Sequence, residues 1–113
     1  MKHLALSRMA GVLLMTVAGA AWASGPDAAQ LEKGKTLFMT GAVPACAVCH
    51  ALQDAGATGA IGPDLDELKP DLERVKKVLV DGAGSMPSFA NTLDEASRDA
   101  IAAYVVHATG GGK

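Results

Sequence analysis

Five consecutive residues, Cys46-Ala47-Val48-Cys49-His50, constrain this chain more than any other feature. They contain both of its cysteines. Two cysteines three positions apart lie on one side of a helical turn, so their sulfurs face the same neighbour. The histidine follows directly. A thioredoxin-like dithiol of this spacing belongs in a βαβ context, and no alternating strand pattern surrounds this one. A structural zinc site needs four ligands, usually from two paired motifs. Beyond residue 23 the only other histidine is His107. A disulfide across two intervening residues closes too small a loop to stabilise much.

The remaining chemistry is covalent haem attachment, for which C-x-x-C-H is the signature. The two sulfurs can meet the two vinyl groups on one edge of a porphyrin as thioethers. His50 is then directed over the ring to reach the iron. One haem c, attached through Cys46 and Cys49, is the expected cofactor.

Composition agrees with a chain built around such a group. Its 113 residues are enough for one small domain, and 50% are apolar but only 4% aromatic. Part of that apolar content lies in residues 1–23. This stretch opens with Lys2, His3 and Arg8, continues as a neutral run from Met9 to Ala20, and closes with Ala21-Trp22-Ala23. That is the layout of a Sec-type signal peptide with an A-x-A-type cleavage site. The neutral run of 12 residues is short of the ~20 that span a bilayer as helix. The expectation is cleavage after Ala23, a mono-haem domain of residues 24–113 in the periplasm, and no membrane span afterwards.

The 90 residues left carry eight basic and twelve acidic side chains, a formal charge of −4, and only Phe38, Phe89 and Tyr104 as aromatics. Neither this balance nor the −2 of the whole chain suits a strongly basic nucleic-acid binder. A core so poor in large side chains needs a cofactor, metal or partner at its centre.

Three helices are expected, at 27–40, 71–81 and 93–109. Asp27 can cap the first, in which Leu31, Gly34, Leu37 and Phe38 recur at helical spacing. Pro70 precedes the second, whose Leu72, Val75, Val78 and Leu79 make one face. Thr92 and Glu95 have capping-box spacing before the third, and Ala96, Ala100, Ile101, Tyr104, Val105 and Ala108 form its stripe. Between the first two lies a long loop punctuated by Pro44, Gly56, Gly59, Gly62 and Pro63. A second loop, from Gly82 to Asn91, carries Met86 and Pro87. Long loops in a small domain usually serve a site. The expected fold class is therefore all-α, three main helices with loops wrapped around one haem. Asp64, Asp66 and Glu67 read as a solvated turn.

With these features in this order, the sequence resembles the class I c-type cytochromes over nearly all of residues 24–113. Gly34 and Phe38 match that family's Gly-x-x-x-aromatic pattern on the first helix, which crosses the C-terminal helix, here at Ile101, Tyr104 and Val105. Gly62-Pro63-Asp64-Leu65 matches its G-P-x-L segment, and the resemblance implies that the Pro63 carbonyl accepts a hydrogen bond from His50 Nδ1. Ser85-Met86-Pro87 matches its M-P segment, implying Met86 as the sixth ligand, opposite His50. Of the two methionines beyond residue 23, Met39 ends the first helix and reads as a packing residue. His107, near a helix C-terminus, reads as solvated. Ser85, Asn91 and Arg74 are candidates for contacts to the haem propionates.

Two axial protein ligands leave no open position for substrate, so the expected function is one-electron transfer between a redox donor and an acceptor, not catalysis. The chain then serves as a free periplasmic carrier or as the haem subunit of a periplasmic dehydrogenase. The stretch from Gly62 to Phe89 is similar to the cytochrome subunits of sulfite dehydrogenases. A haem-based sensor is a third reading and requires a displaceable sixth ligand. Ala42, Val43, Ala45, Ala47 and Val48 line the attachment edge, either as an apolar rim that meets partners or as packing for the haem.

Overall fold

The computed structural model describes residues 11–15, 19 and 25–111. The expected signal peptide and its expected cleavage site lie largely outside the described residues.

Each longer helix starts at an aspartate whose carboxylate takes a backbone N–H that the helix itself leaves unpaired. Helix α1 spans Ala28–Thr36, with Asp27 Oδ1 accepting from Gln30 N at 2.7 Å. Helix α4 spans Leu72–Asp81 and is capped by Asp71, which accepts from Arg74 N at 2.8 Å. Helix α5 spans Glu95–Thr109 and is capped by Asp94, which accepts from Ser97 N at 2.8 Å. The capping box at Thr92 does not form. Asp94 stands one residue before the helix and supplies a carboxylate where Thr92 would offer a hydroxyl two residues too early. Glycines at positive φ, Gly82 and Gly110, follow the ends of α4 and α5.

The first helix does not stay α-helical to Thr40. From Leu37–Gly41 it widens into a π turn, closed by Ala42 N on Leu37 O at 2.9 Å. Phe38 is buried within this turn. Helical periodicity cannot separate one π turn from one α turn.

Short elements fill the long loop. Helix α2 is the single turn Cys46–Cys49, and β1 (Ala51–Leu52) pairs antiparallel with β2 (Ala57–Thr58) around a 3-10 turn, Gln53–Ala55. Helix α3 spans Leu65–Leu68 with Asp64 as its cap. The two-residue strands are too short to show an alternating pattern, and the fold remains all-α.

Helices α1 and α5 cross at Gly34. A Cβ there would lie 2.1 Å from Ala100 O and 2.6 Å from Tyr104 Cβ, so only glycine permits this approach. Beside the crossing, Phe38 and Tyr104 meet edge to face with ring centroids 6.0 Å apart. Leu52, Leu65, Val75, Leu79, Phe89, Ile101 and Val105 complete the buried cluster. Ala102, outside the expected stripe, is fully buried as well, because α5 is packed by both α1 and α4.

Candidate functional site

Helix α2 is short because its purpose is a single turn. His50 N bonds Cys46 O at 2.9 Å and His50 itself leaves the helix at φ −112°, ψ 138°. Cys46 and Cys49 therefore share one side of the turn, and the chain departs with His50 beside them. All three line a cavity of about 370 Å³, within the roughly 300–1,000 Å³ usual for cofactor sites. Phe38, Leu65, Val75, Leu79, Ile101 and Val105 make its apolar walls.

The thiols are free. Burial, reinforced by the nearby Cys49, pushes the Cys46 thiol up to about 11, against a smaller lowering by a backbone hydrogen bond. A dithiol oxidoreductase needs the opposite shift, towards the thiolate. A sulfur held neutral in an apolar wall suits a thioether.

His50 Nδ1 lies 2.7 Å from Pro63 O. A carbonyl oxygen only accepts, so Nδ1 carries the proton and Nε2 keeps its lone pair for a metal. Gly62 N donates to Cys49 O at 2.7 Å. Glycine is required on this side too: a Cβ on Gly59 would fall 2.5 Å from Cys49 C, and one on Gly62 2.6 Å from His50 Cε1.

Met86 also lines the cavity, half-buried. Its loop is pinned to the end of α4. Ala83 N donates to Met86 O at 3.0 Å, Met86 N to Ala83 O at 2.9 Å, and Phe89 N to Leu79 O at 2.7 Å. Ser88 Oγ donates to Val80 O and accepts from Ala90 N. Gly82, at φ 71°, lets the loop fold back on Met86 O.

The comparisons with known proteins agree with this architecture. The family model described as cytochrome c oxidase, cbb3-type, subunit III matches residues 29–105. The c-type cytochrome SorU from Sinorhizobium meliloti, known from a crystal structure, matches with a TM-score of 0.71 and 41% identity, covering 75% of this chain and 97% of that one. The chain belongs to the class I c-type cytochromes. Cytochrome c-551 of Halorhodospira halochloris is 34% identical over 62 residues, 54% of this chain and 78% of that protein. The cbb3-type cytochrome c oxidase subunit CcoP of Azospirillum sp. (strain B510) is 35% identical over 97 residues, 77% of this chain. The cytochrome spans 31% of that subunit's length.

The three candidates for propionate contacts divide. Arg74 and Ser85 line the cavity and Asn91 does not. Arg74 is the one formally charged side chain on a wall otherwise almost wholly apolar, among the described residues. Met39 is 37% exposed and absent from the cavity wall. His107 is exposed in the last turn of α5.

The attachment edge divides. Ala42 is buried in the core, and Ala45 and Ala47 are half-buried, whereas Val43 is 80% and Val48 61% exposed. Ile61, 73% exposed and on the cavity rim, joins them. Only the fold brings Ile61 beside Cys46 and Cys49, so no local pattern marks it.

The acidic turn is not merely solvated. Asp64 Oδ1 caps α3, accepting from Asp66 N at 2.9 Å, and Asp66 Oδ2 accepts from Gln53 N at 2.7 Å. Asp54, another acid the sequence gave no role, accepts from Tyr104 OH at 2.5 Å and lies 3.5 Å from Lys35 Nζ. These side chains tie the loop around β1 and β2 to α1 and α5.

Proposed function

We propose that this cytochrome is a periplasmic one-electron carrier with a single haem c, attached through Cys46 and Cys49 and ligated by His50 and Met86. One observation carries the reading: the two thiols, a histidine with Nε2 left free, and a thioether all line one apolar cavity. The residues fit the group. A porphyrin is rigid and mostly apolar, and so are the walls. Arg74 and Ser85 stand at the same cavity, where a guanidinium and a hydroxyl can take propionate carboxylates.

When bound, the haem iron supplies the one-electron couple. The protein's residues keep the site constant through that exchange. Pro63 orients His50 and makes its ring a stronger donor. The hydrogen bonds between α4 and the 83–89 loop hold Met86 in place. The buried walls keep water out.

Export of residues 24–113 after cleavage at Ala23 belongs to the same reading. No helix among the described residues is long and apolar enough to cross a membrane. The mass of the exported protein gives cleavage and haem number together.

The direct test is the absorption spectrum. A sharp α-band in the reduced form and a weak far-red band in the oxidised form are expected. Met86→His should abolish the far-red band and lower the midpoint potential, because a thioether opposite imidazole favours Fe(II) more than a second imidazole does. An unchanged spectrum and potential overturn Met86 as ligand.

A second reading is favoured by the exposed Val43, Val48 and Ile61. They suit docking on the haem subunit of a periplasmic dehydrogenase, such as a sulfite dehydrogenase, whose cytochrome subunits the Gly62 to Phe89 stretch resembles. Co-purification with a large oxidoreductase subunit supports this reading over the free carrier. Electron-transfer rates that fall steeply with ionic strength would count against an apolar docking edge.

A further inference from the structure

Two segments meet at the candidate ligand histidine, residues 49–53 and residues 62–66. They are joined three times, each time across a separation of thirteen residues. Gly62 N donates to Cys49 O, His50 Nδ1 to Pro63 O, and Gln53 N to Asp66 Oδ2, all at 2.7 Å. The first bond is backbone alone and the second ends on a backbone carbonyl. The third depends on a side-chain carboxyl, so it alone of the three can be removed by changing a side chain other than that of His50.

Asp66 is well placed to hold that register. Its own N–H is bonded to Asp64 Oδ1 at 2.9 Å, so the first turn of α3 is closed before the side chain reaches out. Its target, Gln53, is the first residue of the 3-10 turn that follows β1. An N–H in that position has no partner within its own turn. Asp66 thus caps from α3 a turn three residues beyond His50.

We propose that Asp66 is a positioning residue for His50. It fixes the register of the two segments, and so holds the Pro63 carbonyl in line with Nδ1–H. This rests on His50 being the haem ligand. Without Asp66 the segments are held by two bonds instead of three. The His50–Pro63 bond then opens more often, the ring becomes a weaker donor, and the reduced state gains relative to the oxidised one.

Loss of the negative charge would also raise the potential, so bond and charge must be separated. Asp66→Asn removes the charge and keeps an oxygen acceptor. Gln53→Pro keeps the charge and removes the donor, at a position where proline is accommodated: Leu52 already has φ −157° and ψ 112°, the extended conformation preferred before proline. Asp66→Ala removes both. The holoproteins are compared by NMR exchange of the His50 Nδ1 proton with solvent and by midpoint potential.

Exchange should rise about tenfold in Asp66→Ala and Gln53→Pro, the factor that one net hydrogen bond represents, and less than about twofold in Asp66→Asn. The potential of Asp66→Ala should lie above that of Asp66→Asn. Exchange in both Asp66→Ala and Gln53→Pro equal to wild type overturns the proposal, even if their melting temperatures fall. Absence of hyperfine-shifted His50 ring signals in the wild-type holoprotein overturns the ligation reading and the proposal with it. Signals present but insensitive to these changes overturn the proposal alone.

Discussion

The imidazole of His50 stands directly against Gly62, with no room for a methyl group between them. A Cβ on Gly62 would lie 2.6 Å from Cε1 and 2.8 Å from Nδ1. Gly62→Ala should therefore displace the ring and break the Nδ1 bond to Pro63. The expected outcome is a shifted midpoint potential and faster exchange of the Nδ1 proton, read by voltammetry and NMR. Gly56→Ala serves as the control, since nothing lies within 4 Å of a Cβ there, although its φ of 62° adds local strain.

Gly34→Ala tests the helix crossing. Alanine gains about 1 kcal/mol in helix propensity over glycine. Here its methyl would meet Ala100 O at 2.1 Å, and overpacking of this kind costs about 3 kcal/mol. The clash outweighs the propensity, so a net loss of about 2 kcal/mol is expected in denaturant unfolding. A stabilised variant would mean that α1 and α5 can move apart freely.

The Tyr104–Asp54 bond gives stability a defined pH window. The Tyr104 hydroxyl first, and Lys35 with it, lowers the Asp54 carboxyl below its ordinary 3.8. A depressed folded-state carboxyl contributes stability above its unfolded value and loses it as pH falls through the folded one. Burial first, and then Asp54, raises the Tyr104 phenol above its ordinary 10.0. A raised phenol contributes below its unfolded value and loses that contribution as pH rises through the folded one. Tyr104→Phe should thus cost about 1 kcal/mol at neutral pH, a modest value because Asp54 is largely solvated. The difference from wild type should shrink below pH 3.8 and above pH 10.0. Thermal melts across this range give the answer. A difference independent of pH would show that the hydroxyl acts only through packing.

Removal of the cofactor should unfold the domain. Without it, the apolar walls of a cavity of about 370 Å³, Phe38, Leu65, Val75, Leu79, Ile101 and Val105 among them, would face water, at ~25 cal/mol per Å² of apolar surface. Small domains have only about 5–15 kcal/mol in total. The double variant Cys46→Ser, Cys49→Ser, produced without haem, should lack a cooperative melt and near-ultraviolet dichroism. Cooperative unfolding with the stability of the holoprotein would show that the core is self-sufficient.

Much of the fold was legible because it rests on local rules. Asp27 and Asp71 cap the expected helices, and Gly82 and Gly110 follow their ends. Those signals act within one or two turns of chain. The misreadings have a common cause. Thr92 and Glu95 have capping-box spacing, yet Asp94 is the cap, because a four-residue pattern does not say at which nearby polar residue the helix begins. Asp64 and Asp66 read as solvated because their partners are a short helix and a segment thirteen residues away.

The sequence by itself determined that Cys46, Cys49 and His50 stand together, since neighbours along one turn are held close by covalent geometry whatever the rest of the chain does. It also determined that the core is short of large side chains, which is a matter of composition. Tertiary structure alone decided the walls and rim of the cavity: Phe38, Val75 and Leu79 on its lining, Ile61 beside the cysteines, and the hydrogen bonds that pin the 83–89 loop to α4. It likewise decided that Gly34 meets Ala100 and that Asp66 reaches Gln53. Such meetings depend on how helices cross and loops fold back, and packing sets those positions across separations that no local pattern spans.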